Sequence, residues 1–349
     1  MYERVFRVNG TIPRLGEGDI VELENGRLLL AYSEFYGGTA DHSAARIAGR
    51  ISEDGGFSWG KPFELQPNTG EQNVMSASFL RLKTGEIAFM YLVKNSNTDL
   101  HAYLKKSKDE ARTWSDPVRV TDEPGYHVVN NDRLVQLGNG RMIVPACTYP
   151  DIGERRNWST VFFSDDAGAS WERSKSRLSV AGSGSGMQEP GVVEMLDGDL
   201  LMFMRCDLGF IYQSRSADEG LTWSKPEPTS LWAPVSPSTL KRLPGTGELL
   251  VIWNNRDGYP EYEPFSRRTP LTSAISGDGG KTWKSTRNIE EDRTHTYCYT
   301  SVTFVGDRAL LTYYLSEILP EGERVLANLK LRVMEIEWFR GGKDSAEQA

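Results

Sequence analysis

Ser276-Gly-Asp278-Gly-Gly-Lys-Thr-Trp283 is the fifth copy of a pattern that also reads Ser52-Glu-Asp54-Gly-Gly-Phe-Ser-Trp59, Ser107-Lys-Asp109-Glu-Ala-Arg-Thr-Trp114, Ser164-Asp-Asp166-Ala-Gly-Ala-Ser-Trp171 and Ser216-Ala-Asp218-Glu-Gly-Leu-Thr-Trp223. Their leading serines are 55, 57, 52 and 60 residues apart, a period that fits one four-stranded β-propeller blade with its loops. An Asp followed by Gly hydrogen-bonds its own turn and tolerates positive φ, so each box should close a tight hairpin. The Trp supplies an apolar plate between neighbouring blades. β-rich segments such as Pro270-Leu-Thr-Ser-Ala-Ile275 enter these hairpins.

A second repeat counts the blades. An apolar-x-apolar run, a turn, and a further apolar run recur six times, beginning at Asp19, Ala77, Arg133, Gly191, Leu240 and Ser301, with Arg308 replacing the turn glycine in the last. Six such hairpins imply six blades. Only the sixth lacks a box, and the strand-like Ala327–Trp338 together with Glu3–Arg7 would complete it, closing the ring with both ends of the chain. The expected fold is therefore all-β, a six-bladed β-propeller of four-stranded antiparallel blades with five box turns. Residues 1–340 would form one domain, and the polar residues 341–349 a disordered tail. Length alone, 349 residues, would have suggested two domains; the repeat overrides that prior.

A formal net charge of −8 argues against nucleic acid as the main partner, while leaving room for a small anionic ligand held by a few arginines. No apolar run approaches the ~18 residues of a membrane span, and the first residues lack the apolar core of a signal peptide. Three cysteines, Cys147, Cys206 and Cys298, form neither an even disulfide set nor a metal-ligand spacing. Cytoplasmic location is the expectation for the chain as given, periplasmic or secreted if a signal has been removed. His42, His101, His127 and His295 show no ligand spacing, and neither metal nor cofactor is expected.

Superposing the hairpins on their turn glycines and stepping back nine residues gives Glu17, Ser76, Asn131 and Glu189, one of Ser236, Pro237 or Ser238 in the fifth, and Tyr299 in the sixth. Equivalent positions at the start of innermost strands converge on one mouth of a propeller's channel. A polar cluster there is the default binding site; the duller reading is a set of side chains bonded to channel water.

At this point the chain resembles the sialidase superfamily over nearly its whole length. The boxes look like that family's Asp-boxes, which also occur in non-enzymatic propellers. Gln188-Glu189-Pro190 through Met204-Arg205 is similar, without a gap, to a family stretch carrying the nucleophile's carboxylate partner and a substrate arginine. The resemblance implies those roles for Glu189 and Arg205. Arg268-Thr-Pro-Leu-Thr-Ser-Ala-Ile-Ser276 matches the run that carries another arginine of the carboxylate-binding triad, and Tyr299-Thr-Ser301 matches the nucleophile segment. Asp41, nine residues before Arg50, matches the acid/base aspartate.

The implied chemistry is coherent. A 2-keto sugar acid carries a carboxylate on its anomeric carbon, which repels an anionic nucleophile; a phenol with an adjacent base avoids that repulsion. Tyr299, Glu189 and Asp41 would then be catalytic, and Arg205 and Arg268 would hold the carboxylate. One departure stands out. The family places an arginine of an Arg-Ile-Pro motif where counting back from Gly26 puts Gly16 and Glu17, and the nearest text is Thr11-Ile-Pro-Arg14, with Thr instead of Arg, leaving Arg14 or Arg46 as candidate replacements. Glu17, Asn131 and His127 are further candidate substrate contacts. The expected activity is retaining exo-hydrolysis of a terminal sialic acid or related 2-keto sugar acid. Other sugars by hydrolysis or β-elimination, including a uronic acid, and carbohydrate binding without turnover remain open.

Overall fold

A computed structural model of the chain describes residues 1–149, 156–257, 268–318 and 324–342. Strands follow one another through six four-stranded antiparallel units. Blade one runs Arg14–Glu22, Leu28–Phe35, Ala45–Ser52 and Phe63–Gln66; blade four runs Gln188–Glu194, Leu200–Arg205, Phe210–Ser216 and Glu227–Trp232. Blade six runs His295–Val305, Arg308–Ile318 and Arg324–Glu335, and takes its fourth strand, Tyr2–Phe6, from the start of the chain. The closure expected from the sequence is thus present, with Tyr2 opposite Val333 and Phe6 opposite Leu329. Residues 343–349 of the expected tail lie outside the described residues. Among the described residues no helix is long and apolar enough to cross a membrane.

The five boxes fold alike. In the first, Asp54 Oδ1 accepts from Ser52 Oγ (2.9 Å) and Ser58 N (2.8 Å), and Oδ2 accepts from Ser58 Oγ (2.6 Å). The last repeats this at Asp278 with Ser276 and Thr282. One carboxylate thereby satisfies the donors of a turn that has no ladder partner. The tryptophans pack as plates against the preceding blade: Trp59 joins Leu30, Leu310 and Phe6, and Trp114 lies against Val21, Phe79 and Phe89.

The innermost strands share a further device. In blades one, two, four and six, two residues oppose one across a β-bulge, and the first of the two has left-handed backbone: Glu17 (φ 51°), Ser76 (60°), Glu189 (45°) and Tyr299 (57°). A non-glycine residue held there costs roughly 1–2 kcal/mol. The bulge breaks the strand's alternation and re-aims one side chain. In blade three the innermost strand is split, Tyr126–Val128 and Val135–Gln136, and the left-handed residue is Asp132 (57°), one beyond the Asn131 reached by counting.

Polar side chains tie the blades across the channel. Asp19 Oδ2 accepts from Phe79 N (2.7 Å) and Asp132 Oδ2 from Val302 N (2.9 Å). Arg133 donates to Pro190 O (3.1 Å) and Ser238 O (2.8 Å), linking blade three to blades four and five.

Candidate active site

The bulges bring their side chains together in two groups at one mouth of the channel. In the first, Tyr299 Oη donates to Glu189 Oε1 at 2.8 Å, and Arg205 Nη1 donates to Glu189 Oε2. Arg205 ends the second strand of blade four and pairs in register with Gln188, the residue before the bulge, which is why it reaches Glu189. Arg268 lies just before the third strand of blade five, its guanidinium carbon 5.6 Å from the Tyr299 ring centre, with Nη1 3.2 Å from Cys298 Sγ and Nη2 3.4 Å from Val235 O. Asn131 Nδ2 donates to Gly18 O (2.8 Å) and Tyr299 O (3.1 Å).

Electrostatics in this group favour a protonated phenol in the free protein. Burial first, and the Glu189 carboxylate second, push the Tyr299 hydroxyl up, with Arg205 and Arg268 opposing. Burial disfavours the Arg268 charge, yet Cys298, Tyr299 and Glu189 hold it protonated with an affinity above that of a free guanidinium.

The second group centres on Arg14. Its Nε donates to Tyr314 Oη (2.9 Å), Nη1 to Asp41 Oδ1 (2.6 Å) and Thr39 O (3.0 Å), and Nη2 to Glu17 Oε1 (3.0 Å). Glu17 is buried and accepts also from Ser76 Oγ (2.6 Å) and Tyr314 Oη (3.1 Å). Burial raises the Glu17 carboxyl despite Arg14 and Ser76. The two groups touch through Tyr314, whose ring meets that of Tyr299 edge-on, 5.8 Å between centres at 83°. The Asp41 side chain is 73% exposed at the rim. Desolvation by surrounding protein atoms pushes its carboxyl up, but Arg14, helped by Lys94 and Arg268, outweighs this and leaves it below the usual carboxylate value.

Of the residues singled out from sequence, Tyr299, Glu189, Arg205, Arg268, Asn131, Glu17, Arg14 and Asp41 therefore lie in this connected set. Arg46 does not: its Nε donates to Glu34 Oε2 (2.7 Å) and its Nη1 to Glu64 (3.4 Å) along blade one. His127 is buried between blades, with Nδ1 2.9 Å from Thr148 Oγ1, Nε2 3.0 Å from Glu123 O, and its ring against Phe162. In blade five Ser236 Oγ bonds Asn254 Oδ1 (2.5 Å), and none of residues 236–238 has left-handed backbone. Counting missed two residues. Tyr314 occupies the same register in blade six as Arg205 in blade four, opposite the residue before the bulge, and that correspondence would have found it. Lys94, buried at the end of the second strand of blade two, with Nζ 3.4 Å from Asp41 O, carries no repeat signal.

Comparison with known proteins agrees with this architecture. The sequence model of the family described as "BNR repeat-like domain" matches residues 26–311. A sialidase of Bacteroides fragilis (strain YCH46) is 22% identical over 230 residues, covering 62% of this chain and 39% of that protein. The chain thus spans well under half the length of that curated relative. The intramolecular trans-sialidase of Ruminococcus gnavus superposes with a TM-score of 0.75 at 17% identity, covering 98% of this chain and 99% of that one. A Dyadobacter fermentans DSM 18053 protein of unknown function does so with a TM-score of 0.76 at 19% identity, covering 95% and 98%. The Hadza microbial sialidase Hz136 gives 0.71 at 18% identity, covering 93% and 66%.

Proposed function

This chain belongs to the BNR repeat-like domain family of the sialidase superfamily, and from that premise we propose that it is a retaining exo-glycosidase. Its substrate would be a terminal sialic acid or related 2-keto sugar acid. The observation that carries this reading is the 2.8 Å bond from the Tyr299 hydroxyl to the Glu189 carboxylate. A phenol is a poor nucleophile until a base takes its proton, and Glu189 is within transfer distance.

Tyr299 Oη attacks the anomeric carbon while Glu189 accepts the phenolic proton, and Asp41 protonates the departing oxygen. Asp41 then deprotonates the water that opens the tyrosyl-sugar bond, so that configuration is retained through two inversions. Arg268, beside the Tyr299 ring, and Arg205, bonded to Glu189, hold the substrate carboxylate. The Nε of Arg205 is buried without a partner among the described residues, a donor that a substrate oxygen would satisfy. Asp41 must be protonated for the first step, whereas Arg14 holds it ionised in the free protein.

The test is release of the aglycone from an aryl α-sialoside, with the anomer of the first-formed sugar read by proton NMR, in the wild type and Tyr299→Phe. Turnover with retention, abolished in the variant, supports the reading. A folded wild type that releases no aglycone overturns it, and an ultraviolet-absorbing unsaturated product from a uronoside would put elimination in its place.

A further inference from the structure

We propose that Arg14 is a latch on Asp41 which the carboxylate of an incoming substrate releases, so that the acid becomes available only when an anionic sugar occupies the site. The proposal rests on the retaining-glycosidase reading above and assigns Arg14 a positioning role through Asp41.

The geometry points to this exchange. A guanidinium offers five N–H donors, and the four contacts of Arg14 engage its Nε and both terminal nitrogens. Two of these side-chain partners are fixed. Glu17 is buried and held by Ser76 and Tyr314, Tyr314 is itself buried, and Thr39 contributes a backbone carbonyl. Asp41 differs: its side chain is 73% exposed, against 13% for Arg14, so it can swing into water at little cost. Its backbone stays in place, because Asn73 Nδ2 donates to Asp41 O and Ser43 O, each at 2.9 Å. The one exposed side-chain ligand of Arg14 is therefore an oxygen of a carboxylate, and another carboxylate is the chemical class that takes its place.

The electrostatic consequence has a definite sign. The charged groups facing Asp41 are Arg14, Lys94 and Arg268, with Glu17 opposing them and the Tyr126 phenol nearby. When a substrate carboxylate takes over part of the Arg14 charge, Asp41 loses its strongest cation and gains an anionic neighbour. Both changes favour its protonated form. Binding then takes up a proton in mildly acidic solution, and that proton is the one the departing oxygen receives. A neutral sugar in the same pocket would leave the latch closed and Asp41 ionised.

The experiment follows the Asp41 carboxyl by carbon-13 NMR in the full chain labelled at aspartate, its resonance assigned by its loss in Asp41→Asn. Tyr299→Phe serves as the non-turnover background and an aryl α-sialoside as the probe. Saturating probe should move the Asp41 titration midpoint upward by roughly 1–3 pH units. In the additional Arg14→Met background the midpoint should start high and rise by clearly less when the probe binds, because only the anionic neighbour is then added. Probe binding, seen as saturable shifts of other carboxyl signals, with an unmoved Asp41 midpoint overturns the latch and leaves the glycosidase reading intact. Failure of the probe to bind at all overturns both. The first comparison needs no change at Arg14, so misfolding of Arg14→Met does not blunt it.

Discussion

Asn131 in blade three donates its side-chain amide to the backbone carbonyl of Tyr299 in blade six, 3.1 Å away across the channel. The same amide holds Gly18 O in blade one at 2.8 Å. One side chain thus fixes the carbonyl of a residue in strained left-handed backbone whose hydroxyl donates to Glu189. Replacing it with Ala removes a bond worth about 1 kcal/mol from that alignment. We expect Asn131→Ala to lower kcat on an aryl α-sialoside roughly fivefold with KM little changed. Steady-state kinetics check this, and a change confined to KM would contradict it.

Arg268 lies over Tyr299 as a planar fork that a lysine cannot imitate. With Lys at this position the charge persists while the paired donors are lost, so kcat/KM for a carboxylate-bearing sugar should fall roughly 10–100-fold. If a neutral aryl glycoside is also turned over, its rate should barely change. Equal losses on both substrates would remove Arg268 from carboxylate binding.

The periodic parts of this architecture were legible in the sequence because one physical requirement recurs in each blade. Counting from the turn position, a glycine in three of these blades and Arg308 in the sixth, reached Glu17, Ser76, Glu189 and Tyr299 because bulge and turn keep a constant separation there. It slipped by one at Asn131 because the longer split in the innermost strand of blade three moves the left-handed residue to Asp132. The choice between Arg14 and Arg46 was closed to sequence, since it depends on which carboxylates lie within reach. Arg46 meets Glu34 along its own blade, whereas Arg14 points to Glu17 and Asp41. Lys94 was invisible for another reason: a lysine ending a strand ordinarily reads as a solvated charge, and only the neighbouring blade buries it.

Acid should unfold the protein in two stages. The carboxyls of Asp54, Asp109 and Asp166 are lowered to about 2, chiefly by hydrogen bonds from Ser58, Thr113 and Ser170. In the unfolded chain they would titrate near ~3.9. Their contribution is therefore full above that value and is lost as pH falls through about 2. His101 is lowered to about 4, first by burial and then by Arg119 and His127. Between ~6.5 and 4 the unfolded chain takes up a proton that the native imidazole refuses, so stability also falls across that earlier window. Urea midpoints at pH 7, 5, 3 and 2 should show both declines, and Asp109→Asn should flatten only the second.

Phe6 is buried at the end of the closing strand, its ring 6.3 Å from that of Tyr32 and 6.4 Å from that of Trp59. Truncation to Ala leaves a hole between blades six and one and should cost about 3–5 kcal/mol, read from urea denaturation. A loss below ~1 kcal/mol would mean that the first strand is not part of the cooperative unit.

The pairing of Tyr2–Phe6 with Arg324–Glu335 also sets an order of events during synthesis. The strand Tyr2–Phe6 has nothing to pair with until more than three hundred further residues have been made. Blades one to five can each form from consecutive strands in the meantime. Tyr299 belongs to the last blade and Glu189 to the fourth, and Asn131 reaches the Tyr299 carbonyl across the channel only once the sixth blade is in place. A nascent or nicked chain with most of its β-structure in place would accordingly be chemically silent. Enzymatic turnover would then serve as a direct assay for ring closure, more selective than any spectroscopic measure of strand content.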